Sequence, residues 1–338
     1  MSDKNPTVVF PESRKVVLED RPMPHPEDGE MLIRTQCTLV STGTELTILT
    51  GEYGGSSAWA RYGKYPFTPG YNNVGEVIEP GPGVDKQWIG KRVASYAPHA
   101  AFVLGSPDGV RPVPDTLPSE EAAFFTIAEI VMNGVRRGNV TWGEAVAVYG
   151  LGLLGQLVVR FCQIAGARPV IGIDVAPTRI ALLPTAPGIV GVNPEAEDLG
   201  PRVNELTRDH LLDVVFEVTG RPDIIPDEFT HLRRLGRLVV LSSPRGSVPF
   251  DFHDLCNSPS YTIIGAHNAS HPPTSTPLTP WSKPRHAELF FDLVLTGELD
   301  VKHLITHRIP HTDAPQLYQM LLQDRSQAMG VIIHWPKA

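Results

Sequence analysis

The stretch "AVAVYGLGLLGQLVVRFCQIAGA" limits the fold of this chain more than any other. A short apolar run at 145–149 leads into Gly150, Gly152 and Gly155, spaced G-x-G-x-x-G, and an apolar helical pattern follows. The next apolar run, "RPVIGID", ends in Asp174, 19 residues beyond Gly155. Strand, glycine turn, helix, strand and acid in this order form a dinucleotide-binding fingerprint. Gly150 permits a tight turn, Gly152 lets the backbone approach a pyrophosphate, and Gly155 lets helix and strand pack closely. The free N–H groups of the helix start face the anion, with Leu151, Leu153 and Leu154 completing the turn. Asp174 is placed to accept hydrogen bonds from both ribose hydroxyls and would repel a 2′-phosphate, which favours NAD over NADP. Arg179, five residues on, would stack on adenine, or bind a phosphate if Asp174 turned away.

From 145 to 270 apolar runs alternate with helical segments: "AVAVYG", "RPVIGID", "DVVFEVTG", "RLVVLSS" and "YTIIGAH". That is the pattern of a doubly wound parallel sheet, an α/β fold. Ligands of such sheets lie at the C-terminal strand ends. Val218 and Thr219, Ser242 and Ser243, and Ala266 and His267 occupy those ends here, with His267 expected beside the nicotinamide. Residues 1 to about 120 differ in style. Short alternating runs cut by Gly and Pro predict an antiparallel, partly barrel-like β region. A helix is expected over 119–138, capped by Ser119. After 271 come a Pro-rich link, an amphipathic helix ended by Gly297, a helix at 313–324 and a strand in "MGVIIHW". The expected domains are 1–122 with 272–338, β-rich, and 123–271, dinucleotide-binding.

A net charge of −8 argues against nucleic acid as a partner. Three scattered cysteines without a CxxC exclude a disulfide framework and a cysteine-rich zinc site. No stretch reaches membrane-spanning length and the N-terminus lacks an apolar signal core, so no membrane partner and a cytoplasmic home are expected.

A β-rich N-terminal part, a GLGLLG domain and a short C-terminal return resemble the medium-chain dehydrogenase/reductase superfamily, the alcohol dehydrogenase relatives. "GKRVA", "EVTG", "LRRLGRLVVLSS" and "TGELDVKHLITHRIP" stand in the family's order. "STGTEL" and "PGYNNVGEV" look closest to its bacteriochlorophyllide dehydrogenase-like and sugar or polyol dehydrogenase-like branch. The resemblance implies a Rossmann domain and a GroES-like catalytic domain completed by the C-terminus. It also implies a lost metal. Where zinc-dependent members carry Cys-Gly-Thr-Asp, this chain has Thr42-Gly43-Thr44-Glu45, and where they carry Pro-Gly-His-Glu it has Tyr71-Asn72 after Pro-Gly. Thr126 aligns with the third ligand, and the cysteine loop of the structural zinc is missing. Zinc requires thiolate, imidazole or carboxylate donors, so no metal is expected.

Hydrogen-bond donors must then replace it. The resemblance puts Thr44 at the hydroxyl that touches the substrate oxygen and Glu45 at the supporting acid, free to orient Tyr71 or a substrate hydroxyl. The relay histidine is replaced by Thr47. Tyr71 would donate to the reacting oxygen or, with a lowered pKa, accept its proton. His99, in "SYAPHAAF", suits general acid/base work. Thr42, Asn72 and Asn73 are expected at the site floor, although paired Asn also suits a self-satisfied turn. Tyr53 and Trp59 belong to an aromatic segment, 51–67, expected as a substrate lid; Cys37 is expected in the core. The function this predicts is zinc-independent, NAD(H)-dependent hydride transfer between nicotinamide and a secondary alcohol or ketone that is polyol, sugar-like or cyclic. An NADPH-dependent quinone or enoyl reductase and a non-catalytic dinucleotide-binding protein are the alternatives. A homodimer or homotetramer acting on a small molecule is the expected assembly.

Overall fold

The computed structural model describes residues 4–272 and 274–336. The chain divides into two compact units, Met1–Thr126 with Ala287–Ala338, and Ile127–His286.

The second unit is built on a six-stranded parallel sheet. Its strands are Val146–Tyr149, Val170–Ile173, Ile189–Val192, Leu212–Glu217, Leu232–Val240 and Thr262–Gly265, and in space they run 3-2-1-4-5-6. That is the Rossmann order. Val146–Tyr149 and Val170–Ile173 are buried at every residue, which is why they read as unbroken apolar runs. Ile189–Val192 was not among the expected strands. Only Val192 in it is buried, because it is an edge strand; its run "IVGV" is apolar but only four residues long and interrupted by Gly191.

In the first unit Met31–Leu39 is the central strand. It pairs antiparallel with Asn73–Pro80, Phe102–Gly105 and Gly330–His334. The pairing Ile332 to Leu39 brings the C-terminus into the sheet. Arg92–Ser95 continues the sheet beyond Asn73–Pro80. A core of Val8, Phe10, Ile48, Leu49, Tyr318, Val331 and Ile333 lies under the helices Thr42–Thr50 and Ala314–Gln323. Cys37 is 1% exposed, in the core as expected, and burial pushes its thiol up to about 12.

Two helical expectations need correction. The helix over 119–138 is two helices, Ser119–Ala122 and Phe125–Arg137. Ser119 does not cap the first; Pro118 stands at the cap, and the Ser119 hydroxyl donates to Gln36 Oε1 at 2.7 Å. Thr42–Thr50 was not foreseen as a helix, since four of its nine residues are threonine, a weak helix former.

The glycine turn explains itself by sterics. Gly150 has φ +92°. A Cβ on Gly155 would lie 1.8 Å from the Gly150 carbonyl oxygen, so the helix Leu153–Ile164 docks only with glycine there. Gly155→Ala should cost about 3 kcal/mol by forcing the helix off the sheet. Urea unfolding should show the loss as a lower midpoint; an unchanged midpoint would mean that the helix can shift at no cost.

Candidate active site

In the second unit the strand ends are gathered by a residue the sequence reasoning passed over. Glu217 closes the strand Leu212–Glu217 and is fully buried. Its Oε1 accepts from Thr219 N (2.7 Å), Thr219 Oγ1 (2.7 Å) and Gly220 N (2.9 Å), and its Oε2 accepts from Ser242 Oγ. One carboxylate therefore shapes the Val218–Thr219 turn and ties it to Ser242. Ser243 is exposed. Ala266 is buried, whereas His267 is exposed with its Nδ1 accepting from Ala269 N at 3.1 Å. The His267 ring thus caps the turn Asn268–Ser270.

The glycine turn fits a dinucleotide. A Cβ on Gly152 would meet nothing within 4 Å, which leaves room at the start of the helix Leu153–Ile164, and no side chain caps that start. Leu151 and Leu153 are buried beneath it and Leu154 is partly exposed. Asp174 is 7% exposed; it accepts from Leu151 N (2.7 Å) and Ala176 N (2.8 Å), so it is fixed beside the turn. Arg179 Nη1 lies 3.4 Å from Asp174 Oδ2, which makes its resting partner this carboxylate.

Near Glu217 sits Glu228, fully buried, with neither carboxyl oxygen partnered among the described residues. Burial, reinforced by the charges of Glu217 and Asp227, pushes its pKa from 4.5 up to about 9. At neutral pH it is therefore a neutral acid. The unfolded chain releases this proton near pH 4.5, the folded protein only near pH 9. Stability must fall as pH rises through that window, by about 3 kcal/mol at pH 7. Glu228→Gln removes this linkage. The variant should gain stability relative to the parent steadily from pH 5 to pH 9; a constant difference across that range would show that Glu228 ionises normally.

In the first unit the predicted catalytic residues form two hydrogen-bonded groups. The first is a set of hydroxyls. Tyr71 donates to Thr44 Oγ1 at 3.2 Å and shares a short hydrogen bond with Ser41 Oγ. Ser41 precedes the helix Thr42–Thr50, so Ser41, Thr42 and Thr44 all stand at its first turn. Tyr71 follows Gly70, and Thr126 donates to the Tyr71 carbonyl at 2.9 Å. Burial pushes the Tyr71 phenol up to about 12; the hydrogen bonds to Ser41 and Thr44 pull it down, and the Glu45 charge adds to the rise. Tyr71 is thus a donor at neutral pH, and the reading of it as a lowered-pKa base is corrected.

The second group centres on Glu45, 1% exposed. It accepts from Ser41 N at 2.7 Å and from the Tyr318 hydroxyl, and both its oxygens lie 3.2–3.3 Å from His99 Nε2. Glu45 therefore orients His99 and Tyr318, not Tyr71. His99 is fully buried, and its Nδ1 has no partner among the described residues. It turns toward the Glu45 carboxylate rather than toward the hydroxyl set. Gly70 (φ +104°) is required by this packing, since a Cβ there would lie 2.7 Å from His99 N and 2.9 Å from the ring.

Asn72 and Asn73 are fully buried, which corrects their placement on a substrate-facing floor. Asn72 Nδ2 donates to Leu39 O (3.1 Å); Asn73 Nδ2 donates to Thr35 Oγ1 (2.9 Å) and Pro98 O (3.2 Å). They stitch the strand mouth to its neighbours. In the aromatic segment Tyr53 donates to Gly63 O at 3.3 Å and stacks on Trp59, and Trp59 packs on the core. These two hold the segment in place. Thr47 donates to Gly43 O, within its own helix. Ser41 and Tyr318 escaped the sequence reasoning. Ser41 had a signal, its position just before "TGTEL"; Tyr318 had none, being 273 residues from Glu45.

A glycine turn with room for a pyrophosphate and a partly buried set of hydroxyls suit a dinucleotide-dependent oxidoreductase. Comparison with known proteins agrees. Residues 27–109 match the alcohol dehydrogenase GroES-like domain and residues 154–281 the zinc-binding dehydrogenase family. A D-guloside 3-dehydrogenase of Escherichia coli is 27% identical over 266 residues, 76% of this chain and 75% of that protein. A sorbitol dehydrogenase of Bacillus subtilis is 22% identical over 96% of each. In structure, 2R,3R-butanediol dehydrogenase from Bacillus subtilis superposes with a TM-score of 0.81 at 19% identity, over 98% of this chain and 100% of that one. The chain belongs to the medium-chain, alcohol dehydrogenase-like superfamily and is a dinucleotide-dependent dehydrogenase.

Proposed function

We propose that this protein is a zinc-independent, NAD(H)-dependent oxidoreductase of secondary alcohols and ketones, acting on a polyol or sugar-like substrate. The observation that carries this reading is the hydroxyl set of Ser41, Thr44 and Tyr71, in which Tyr71 stands where zinc-dependent relatives carry a metal-ligating histidine and Thr44 where they carry the hydroxyl that touches the substrate oxygen. The donors fit zinc poorly. Thr42, Tyr71 and Thr126 offer two alcohols and a phenol pushed up to about 12, and among the described residues no three His, Cys, Asp or Glu side chains could hold a metal.

The overall change is secondary alcohol plus NAD⁺ to ketone, NADH and a proton, the dinucleotide supplying or accepting the hydride. Charge accumulates on the substrate oxygen in either direction. A phenol that keeps its proton is suited to hydrogen-bond that oxygen, with Thr44 and Ser41 orienting the phenol. Tyr71→Phe removes this donor and little volume. Turnover should fall on the order of 10²–10³-fold with NADH affinity unchanged, and metal analysis of the parent should find far less than one zinc per chain. Parental turnover in the variant, or one tightly held zinc, would overturn the reading.

The named sugar and polyol dehydrogenases among the relatives support the substrate class. Asp174 supports NAD. In titrations followed by NADH and NADPH fluorescence, NADH should bind more tightly, and Asp174→Ala should narrow the gap at least tenfold, as expected for losing two ribose hydrogen bonds and a repulsion. An unchanged preference would place Asp174 away from the ribose. Cys37, Cys162 and Cys256 are free thiols, which suits a reducing cytoplasm. No helix of the described residues is long and apolar enough to cross a membrane. Assembly as a homodimer fits the edge strand Thr262–Gly265, whose Ile263 is 43% exposed.

A further inference from the structure

In the second unit a guanidinium and two imidazoles form one hydrogen-bonded row that the proposed reaction does not use. Arg136, near the end of the helix Phe125–Arg137, donates its Nε–H to His286 Nε2 at 3.1 Å. His286 Nδ1 lies 2.9 Å from His271 Nε2, and His271 Nδ1 lies 2.8 Å from Asn268 O. His286 is fully buried and His271 is 8% exposed. The row joins three segments: the helix Phe125–Arg137, the turn Asn268–Ser270 and the start of the helix Lys283–Leu295. Asn133, one turn before Arg136, adds a bond from its Nδ2 to Ser270 Oγ at 2.8 Å.

The two ends of the row fix where every proton sits. A guanidinium only donates, so His286 Nε2 is bare. A carbonyl only accepts, so His271 Nδ1 carries a proton. The middle bond then has one solution, His286 Nδ1–H donating to a bare His271 Nε2. Both rings are neutral, with one proton each. A further proton has two places to go, and either breaks the row. On His286 Nε2 it would face the Arg136 N–H; on His271 Nε2 it would face the His286 N–H.

The surroundings oppose that proton too. Trp281 stacks on His286 (centroids 5.5 Å, 14°), and the guanidinium carbons of Arg136 and Arg285 lie over its ring at 3.2 Å and 3.9 Å. The charged side chains that act on the rings are cations, Arg136 and Arg285 on His286 and Lys283 on His271. Burial first, then His271 and the two guanidiniums, pulls His286 from 6.5 down to about 3. Burial also lowers His271, against the bond to Asn268 and with the help of Lys283. A base whose pKa is depressed by folding favours the folded form fully above pH 6.5 and less as pH falls toward 3.

We propose that the Arg136–His286–His271 row is an acid-sensitive clasp, which holds the turn Asn268–Ser270 and the start of the helix Lys283–Leu295 to the helix Phe125–Arg137 at neutral pH and loosens them in weak acid. The clasp is independent of the reaction proposed above. It works locally, because a released imidazole takes up the proton that the closed row refuses, and each proton bound favours the open form.

Amide hydrogen exchange of the whole protein tests this, read at Ser270 and His286, whose N–H groups donate to His267 O and Ser282 O. With intrinsic rates divided out, their open fraction should rise about 30-fold between pH 7.5 and pH 5.0, as expected for one imidazole that is neutral when closed and ordinary when released. Amides of the strand Val146–Tyr149 should not share this loss of protection. The double variant His271→Gln, His286→Gln keeps side-chain amides at both places and carries no titratable ring. Whatever its protection at pH 7.5, its open fraction should change less than about threefold down to pH 5.0. Histidine-labelled NMR spectra of the parent give a readout that needs no variant: both rings should stay neutral, with the proton on Nδ1, down to about pH 5. A His286 ring that titrates near pH 6.5 in the intact protein would overturn the inference. So would unchanged protection at Ser270 and His286, an equal loss in the strand Val146–Tyr149, or a parental pH dependence in the double variant.

Discussion

The buried carboxylate of Glu45 is the constraint on which the first unit turns. A carboxylate at 1% exposure is costly unless its lone pairs are filled. Three donors fill them, and each comes from a different part of the chain: the Ser41 amide at a helix start, His99 after the strand Arg92–Ser95, and Tyr318 on the helix Ala314–Gln323. The C-terminal return is therefore fastened to the N-terminal sheet by a hydrogen bond as well as by the strand Gly330–His334. The Ser41 side chain makes no cap hydrogen bond to its own helix, and its hydroxyl is engaged by Tyr71 instead.

What was legible in the sequence follows from the range of the interactions. The glycine turn, the parallel strands and the acid at 174 are local signals, and each maps to a period or a fixed spacing. The edge strand Ile189–Val192 was passed over although its run is apolar, because four residues with a glycine among them, directly after the Pro- and Gly-containing "LPTAPG", read as loop. The helix Thr42–Thr50 was hidden for a different reason. Its propensity is poor, and tertiary burial of Glu45, Leu46, Ile48 and Leu49 overrides it.

The same distinction applies to the site. Position alone singled out Tyr71 and Thr44, but not whom they touch. The polar triplet at 71–73 reads as one feature and divides into two in space. Tyr71 turns its hydroxyl to Ser41 and Thr44, whereas Asn72 and Asn73, fully buried, give their amides to the neighbouring Leu39 and Pro98 carbonyls. Tyr71 and Asn72 stand before the strand Asn73–Pro80, in the turn that follows Gly70, so the three side chains share no single face and adjacency in sequence was a poor guide to contact. His99 was chosen for its chemistry; it is fully buried, with its Nε2 on the Glu45 carboxylate.

A metal and a phenol meet the same demand by opposite means. A metal brings positive charge and holds it in a polar site; a phenol brings only a dipole, so its value depends on exclusion of water and on keeping its proton. Burial supplies both at Tyr71, and the nearby Glu45 carboxylate, by opposing a second negative charge, strengthens the hold on the proton. The residue that organises the first unit thus also helps set the chemistry of the hydroxyl beside it. A histidine at position 71 would replace a phenol held by two hydroxyls with an imidazole whose neighbours at Thr42 and Thr126 offer neither thiolate nor carboxylate, so that one change would not assemble a zinc site.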